Sequence, residues 1–176
     1  MVGEGEKREA IVFQDIDDVL LSDRLIAACE VFDDTTAPPV KIPFRGDPIA
    51  VALINRACLL CGARVVVSSS WLIEVGWRYT LDWLIRSGLD PAHLHEDPAV
   101  RLGPEGSKRD AIGDWLKQHP SIPLDRVVVV DDDPLLFSRP HPLRTRQVLV
   151  EGPDGLRLQD YRAVVQKLGK IKGRAP

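Results

Sequence analysis

The stretch Ile11-Val12-Phe13-Gln14-Asp15-Ile16-Asp17-Asp18-Val19-Leu20 decides how this chain reads. An apolar run of strand character ends abruptly in two carboxylates spaced two residues apart. Alternate residues of a strand point the same way, so Asp15 and Asp17 aim at one spot just past the strand end. Like charges held that close repel unless a cation or a proton-transfer role offsets them. The pair therefore points to a metal site with chemistry.

Further along, Arg126-Val127-Val128-Val129-Val130 is a second short buried-strand run, and it terminates in Asp131-Asp132-Asp133. In open α/β sheets the carboxyl ends of parallel strands form the ligand crevice, so two strands delivering acids there build one oxygen-rich pocket. Oxygen ligands of this kind suit Mg2+ rather than zinc or copper.

Strand-like runs at about 10–14, 64–68, 126–130 and 146–150 alternate with helical patterns at about 47–62, 71–87, 107–119 and 158–169. That alternation predicts an α/β fold, a mostly parallel sheet covered by helices. With 176 residues, 44% of them hydrophobic, the chain is read as one domain over 1–176. The segment 21–46 is too long for an ordinary strand-to-helix loop and contains the polar, proline-bearing run Asp33-Asp34-Thr35-Thr36-Ala37-Pro38-Pro39. It is expected to be a small cap-like insertion, a lid or binding element at the catalytic end.

A net charge of −3 and a pI near 5.8 give no basic field for tight non-specific nucleic-acid binding, so substrate contact has to be local. No apolar core follows the polar start MVGEGEKREA and no stretch of about 18 apolar residues is present, which predicts a cytoplasmic protein with no membrane partner. The three cysteines, Cys29, Cys58 and Cys61, are too few for a disulfide scaffold. Cys58 and Cys61 have CxxC spacing, but they lie inside an apolar helical pattern and are expected to pack in the core. The tryptophans Trp71, Trp77, Trp83 and Trp115 fall mostly on helix faces, where burial is more usual than base stacking.

Two further groups complete the constellation. Val65-Val66-Val67-Ser68-Ser69-Ser70-Trp71 is a buried strand that breaks into hydroxyls and then starts a helix. Ser68, directly after the apolar run, is placed to donate to phosphate oxygens beside the free N–H groups of a helix start. Lys108 stands at the start of the helix in Gly106-Ser107-Lys108-Arg109-Asp110, where a cation is opposed by the helix dipole. A lysine at the crevice neutralises the charge shared by a carboxylate and a phosphoryl group, which gives this unfavourable placement a reason. The basic run Arg139-Pro140-His141-Pro142-Leu143-Arg144-Thr145-Arg146 follows the second acidic cluster and reads either as cations near the crevice or as a solvated loop.

The order of these pieces resembles the haloacid-dehalogenase-like (HAD) phosphohydrolases, whose first motif is DxDx(T/V) after an apolar strand. DIDDV at 15–19 fits it, VVVS at 65–68 is similar to the second motif, Lys108 to the third and VVVVDD at 127–132 to the fourth. More narrowly, SSSW at 68–71, KRDAIGDWL from 108 and Asp154-Gly155-Leu156 resemble the small HAD subgroup associated with RNA-repair proteins. Asp18 departs from the pattern, since relatives commonly have glycine there.

The resemblance implies a three-layer Rossmann-like fold with a small loop cap after the first strand, and a Mg2+-dependent phosphatase. Asp15 would be the nucleophile that becomes an aspartyl-phosphate, and Asp17 the group that gives a proton to the leaving oxygen and then helps water attack. Mg2+ would be held by the Asp15 carboxylate, the Asp17 backbone carbonyl and Asp131, with Asp132 close by. Ser68 and Lys108 would hold the phosphoryl oxygens. The implied substrate is a nucleotide or a nucleic-acid terminal phosphate; the rivals are a small-metabolite phosphomonoester, or a regulatory HAD-like module in which Asp18 has spoiled turnover.

Overall fold

Three of the five strands are short, largely apolar runs almost wholly buried, the composition of strands covered by helices on either side. The computed structural model describes residues 9–32, 45–103 and 106–169. Strands β1 (Ala10–Gln14), β2 (Ala63–Val67), β3 (Leu94–Ala99), β4 (Val127–Asp131) and β5 (Gln147–Leu149) form one sheet in the order β3-β2-β1-β4-β5, with every described pairing parallel. The chain winds outward from β1 to β3, then crosses back over to β4 and β5. The direction of winding reverses between β1 and β4, and their carboxyl ends flank the crevice that such a reversal opens.

Helices α1 (Asp23–Phe32), α2 (Pro48–Cys61), α3 (Trp77–Arg86), α4 (Lys108–Gln118) and α5 (Leu158–Leu168) complete the layers. Alternation along β1 sorts the core: Ala10 and Val12 face the cluster built with α2, α3 and α5, while Ile11 and Phe13 face the cluster of Ala111, Ile112 and Trp115 on α4 with Phe137 and Leu143. This is the predicted three-layer α/β architecture. Helix α2 starts where Asp47 accepts from the N–H groups of Ile49 (2.8 Å) and Ala50 (3.2 Å), with Pro48 in its first turn. It ends on Gly62 at φ 61°, a left-handed cap. Cys58 and Cys61 are buried along it, and burial pushes the Cys58 thiol up to about 12, so the pair packs as expected.

Three features depart from the sequence reading. The segment 21–46 opens with the ten-residue helix α1 rather than a loop, whereas its proline-bearing run 33–39 lies outside the described residues. The helical stretch 71–87 is two pieces, a π-helical turn at Leu72–Gly76 and then α3, divided where Gly76 takes φ 90°. Strand β3 has a polar sequence, LHEDPA, with no alternation to announce it. It is tolerated because β3 lies at the sheet edge, pairs only with β2 across an irregular register, and carries Pro98.

The loop before α5 clasps the turn that follows β1. Leu156 N–H bonds the Val19 carbonyl at 2.9 Å, Arg24 N–H bonds the Pro153 carbonyl at 3.0 Å, and the Arg24 guanidinium pairs with Asp47 (3.0 Å) and Asp154 (3.4 Å). Gly155, at φ 65°, makes the approach possible: a Cβ there would stand 2.7 Å from the Val19 carbonyl oxygen. The basic run 139–146 supplies no cation cluster to the crevice through Arg146. That guanidinium is spent on the carbonyls of Val127 (2.8 Å), Asp125 (2.8 Å) and Lys167 (2.6 Å), around the amino end of β4, away from the acids.

Candidate active site

Two parallel strands side by side end in acids, so their last carboxylates converge. Asp15 follows β1, its N–H still bonded to the Val130 carbonyl at 3.1 Å, and Asp131 is the last residue of β4, its carbonyl accepting from Val150 N–H at 3.0 Å. Asp15 is 4% exposed and Asp131 wholly buried. Lys108, the first residue of α4, reaches across to both: its Nζ lies 2.5 Å from Asp15 Oδ2 and 2.8 Å from Asp131 Oδ2. Ser107 caps the helix by accepting from Asp110 N–H at 3.1 Å, which fixes where Lys108 leaves it. The two carboxylates offset the unfavourable helix dipole.

The second oxygens are also held. Asp15 Oδ1 accepts from Ile16 N–H at 2.8 Å and Asp131 Oδ1 from Asp133 N–H at 3.0 Å. Asp133 itself accepts from Leu135 N–H at 2.8 Å, the turn-starting aspartate that an Asp-Pro step suggests. After Asp15 the chain folds into a tight turn in which Ile16 O collects the N–H groups of Val19, Leu20 and Leu21. No backbone N–H of the described residues bonds the Asp17 carbonyl, so it is available as a ligand.

Asp15, Asp131 and Asp132 each offer a carboxylate oxygen, and the three oxygens lie within 4.8 Å of one another. The electrostatics fit a divalent cation. Burial first, and then the Asp15 charge, push Asp131 up to about 6 in spite of Lys108; the same two causes raise Asp132. One lysine does not balance this many acids. Burial works to lower the Lys108 pKa, but Asp15 and Asp131 outweigh it and the net shift is upward. The all-oxygen donor set suits a hard cation such as Mg2+.

Asp17 is half-buried beside this group. Burial pushes its carboxyl up to about 6, opposed by a hydrogen bond from Trp71 and assisted by the charges of Asp15 and Glu74. The bond runs from the Trp71 indole Nε1 to Asp17 Oδ1 at 2.8 Å. Trp71 stands out in the sequence as the last residue of SSSW and as a residue expected to pack on a helix face, but neither pattern assigns it a partner at the site. Trp71, Trp83 and Trp115 are buried as expected, but Trp77 is 52% exposed.

Ser68 is wholly buried after β2, tied through its N–H to the Gln14 carbonyl at 2.9 Å. Its Oγ is one of three buried side-chain polar atoms among the described residues that lack a hydrogen-bond partner, with Gln14 Oε1 and Arg157 Nε. Such a group normally finds one, and its lack fits a hydroxyl reserved for a ligand. Ser68 therefore shares the strand-end neighbourhood without bonding the acids or Lys108. Ser69 takes the local capping role, accepting weakly from Trp71 N–H at 3.4 Å.

Asp18 sits at φ 53°, in the left-handed region where glycine costs least and aspartate and asparagine are the better tolerated of the other residues. Its carboxyl is raised by burial and by the charges of Asp23 and Asp132. A carboxylate whose folded pKa is raised stabilises the fold below its ordinary pKa and loses that contribution as pH rises through the folded value. Asp18→Asn keeps a side chain that tolerates the left-handed region and removes the charge. The metal-free variant is expected to melt a few degrees above wild type at pH 7.5, with the gain shrinking toward pH 5. A gain that grows on acidification, measured by thermal denaturation at both pH values, would contradict this.

Beside the acids a cavity of about 510 Å3 opens, lined by Asp18, Asp23, Asp132, Glu151 and the backbone turn around Gly152. No helix of the described residues is long and apolar enough to cross a membrane. No curated protein and no solved structure matches the chain. The family described as the HAD domain in Swiss Army Knife RNA repair proteins matches residues 11–161, nearly the whole sheet and both acidic strand ends. By that match the chain belongs to the HAD domain family of Swiss Army Knife RNA repair proteins.

Proposed function

We propose that this domain hydrolyses a phosphomonoester by a two-step transfer through Asp15, and that its substrate is a terminal phosphate on RNA. The observation that carries the reaction class is the convergence of Asp15, Asp131 and Lys108 at the mouth of the β1/β4 reversal, with Asp132 completing the acidic set. The family's description supports the RNA end.

In this reading Asp15 attacks phosphorus as the bond to the leaving oxygen breaks, giving an aspartyl-phosphate. Asp17, whose proton is retained to about pH 6, gives it to that oxygen. Then Asp17 takes a proton from water, water attacks phosphorus, and the bond to Asp15 breaks to release inorganic phosphate. Lys108 draws the phosphoryl group's negative charge toward Asp15, and Ser68 donates its uncommitted hydroxyl to a phosphoryl oxygen. Asp15, Asp131 and the Asp17 carbonyl would hold Mg2+, with Asp132 near it. When bound, the ion offsets the repulsion between carboxylate and phosphate and polarises a phosphoryl oxygen.

One observation favours a second reading, a small phosphorylated metabolite. The cavity beside the acids is walled by Asp18, Asp23, Asp132 and Glu151, which repel a polyanionic chain. Phosphate release should be compared on an aryl phosphate, RNA oligonucleotides phosphorylated at the 3′ or 5′ end, nucleotides and sugar phosphates, with Mg2+ and with chelator. Mg2+-dependent release from an RNA end in preference to the small substrates is the expected result. Release from sugar phosphates alone would replace the RNA reading, and inertness toward every monoester by folded protein in Mg2+ would remove both.

A further inference from the structure

We infer that Trp71 is the positioning residue of the proton donor: its indole N–H fixes Asp17 so that the transferable proton resides on Oδ2. The inference rests on the reading of Asp17 as the acid of the first step. An indole Nε1–H donates and cannot accept. The Asp17 oxygen it touches, Oδ1 at 2.8 Å, is therefore an acceptor in that contact, and a protonated Asp17 carries its hydrogen on the other oxygen.

The indole is well placed to impose this. Trp71 is 3% exposed, and its ring packs edge-on against Trp83, centroids 4.9 Å apart at 61°. Trp83 is itself 1% exposed and closes against Gly46, where an added Cβ would come within 2.8 Å of the ring. The Trp71 carbonyl accepts from Thr80 Oγ1 at 3.3 Å, and its N–H points to Ser69 Oγ. Held at its backbone and along its ring, the side chain has little freedom to swing away from Asp17. The π-helical turn begins at the next residue, the kind of local widening that recurs at functional sites. The Asp17 backbone is tied into the turn by the bridge to Leu21, but among the described residues the Trp71 indole is the one hydrogen-bond partner of its carboxyl.

A residue that orients an acid matters only when the leaving group needs a proton. Trp71→Phe keeps an aromatic ring against Trp83 and deletes the N–H. The measured quantity is kcat/KM, which stops at the first irreversible transfer, on two substrates: a nitrophenyl phosphate, whose phenolate departs unaided, and an alkyl phosphate, whose alkoxide does not. Trp71→Phe is expected to lose about 10- to 100-fold on the alkyl ester, part of the usual general-acid contribution, and less than about threefold on the nitrophenyl ester. Asp17→Asn should show the same bias, larger.

Equal losses by Trp71→Phe on both esters, with Asp17→Asn still discriminating, would overturn the positioning role alone. No discrimination by Asp17→Asn would overturn the acid assignment beneath it, and a wild type inert on both esters would overturn the hydrolase reading and this inference together. Should Trp71→Phe fold poorly, replacing Trp71 by benzothienylalanine keeps the indole shape with sulfur in place of N–H, and the same leaving-group bias is expected.

Discussion

Asp15→Asn should be a folded protein that releases phosphate at least about 10^3-fold more slowly than wild type from every substrate tested, because it removes the attacking atom rather than a contact to it. The substitution is nearly isosteric. The asparagine carbonyl can still accept from Ile16 N–H, as Asp15 Oδ1 does at 2.8 Å, and Lys108 retains Asp131 at 2.8 Å as a partner. Folding should not suffer. Asp15 is a leading cause of the raised pKa values of Asp131 and Asp132, so its loss relieves repulsion in the metal-free protein and should leave the melting temperature at pH 7.5 equal to or above that of wild type. Two readouts separate chemistry from folding: thermal denaturation, and mass spectrometry of acid-quenched protein after a single turnover. Wild type should carry a phosphoryl adduct on the peptide containing Asp15, and the variant none. Turnover by Asp15→Asn within about tenfold of wild type would end the covalent mechanism.

How much of this was legible in the sequence follows from which forces set each feature. Strands β1, β2 and β4 were visible because a strand buried on both faces must be largely apolar, edge strand β5 showed only as the short apolar run Val148-Leu149-Val150, and the acids were visible because the apolar run stops where the crevice begins. Helices α2, α4 and α5 carried their own punctuation, Asp47 with Pro48, Ser107, and the terminal glycines Gly62 and Gly169. Strand β3 was hidden because an edge position relaxes the demand for apolar residues. Helix α1 was hidden inside a long interval between stronger signals; it is short, and its Leu25 and Ile26 are held by the core cluster more than by propensity.

At the site, the groups that bear charge could be read one by one, since Asp15, Asp17, Asp131, Asp132 and Lys108 each stand at a strand or helix terminus. What could not be read is pairing across the fold. Trp71 and Asp17 are 54 residues apart, and only packing of the β2 end beside the β1 end brings indole to carboxylate. Arg146 is the converse case: the basic run read either as cations near the crevice or as a solvated loop, and this guanidinium does neither, being taken by backbone carbonyls at the other end of the sheet.

Lys108→Met carries the second large effect, and its value is that it splits charge balance from catalysis. Methionine keeps the length and apolar volume of the lysine stem without the ammonium. It leaves Asp15 and Asp131 facing each other at 4% and 0% exposure, and removing one side of a buried ion pair commonly costs about 3–5 kcal/mol because the remaining charge is uncompensated. The protein can escape that cost only by binding a proton or a cation. Asp131, already raised to about 6 with the lysine present, should rise further without it. A raised carboxyl contributes stability at low pH that is lost as pH climbs through its folded pKa, so the metal-free variant should approach wild type near pH 5 and fall progressively below it toward pH 8. Mg2+ should restore stability at pH 8, since the carboxylate set of Asp15, Asp131 and Asp132 then has its cation. Activity should stay about 10^2- to 10^3-fold down in Mg2+, because the charge that meets the phosphoryl oxygens is still missing. Melting curves from pH 5 to 8, with and without Mg2+, and phosphate release in Mg2+ make the comparison. A stability loss that is the same at pH 5 and pH 8 would mean the lysine is held for its packing, and full activity in Mg2+ would mean the ion alone does the work assigned here to Lys108.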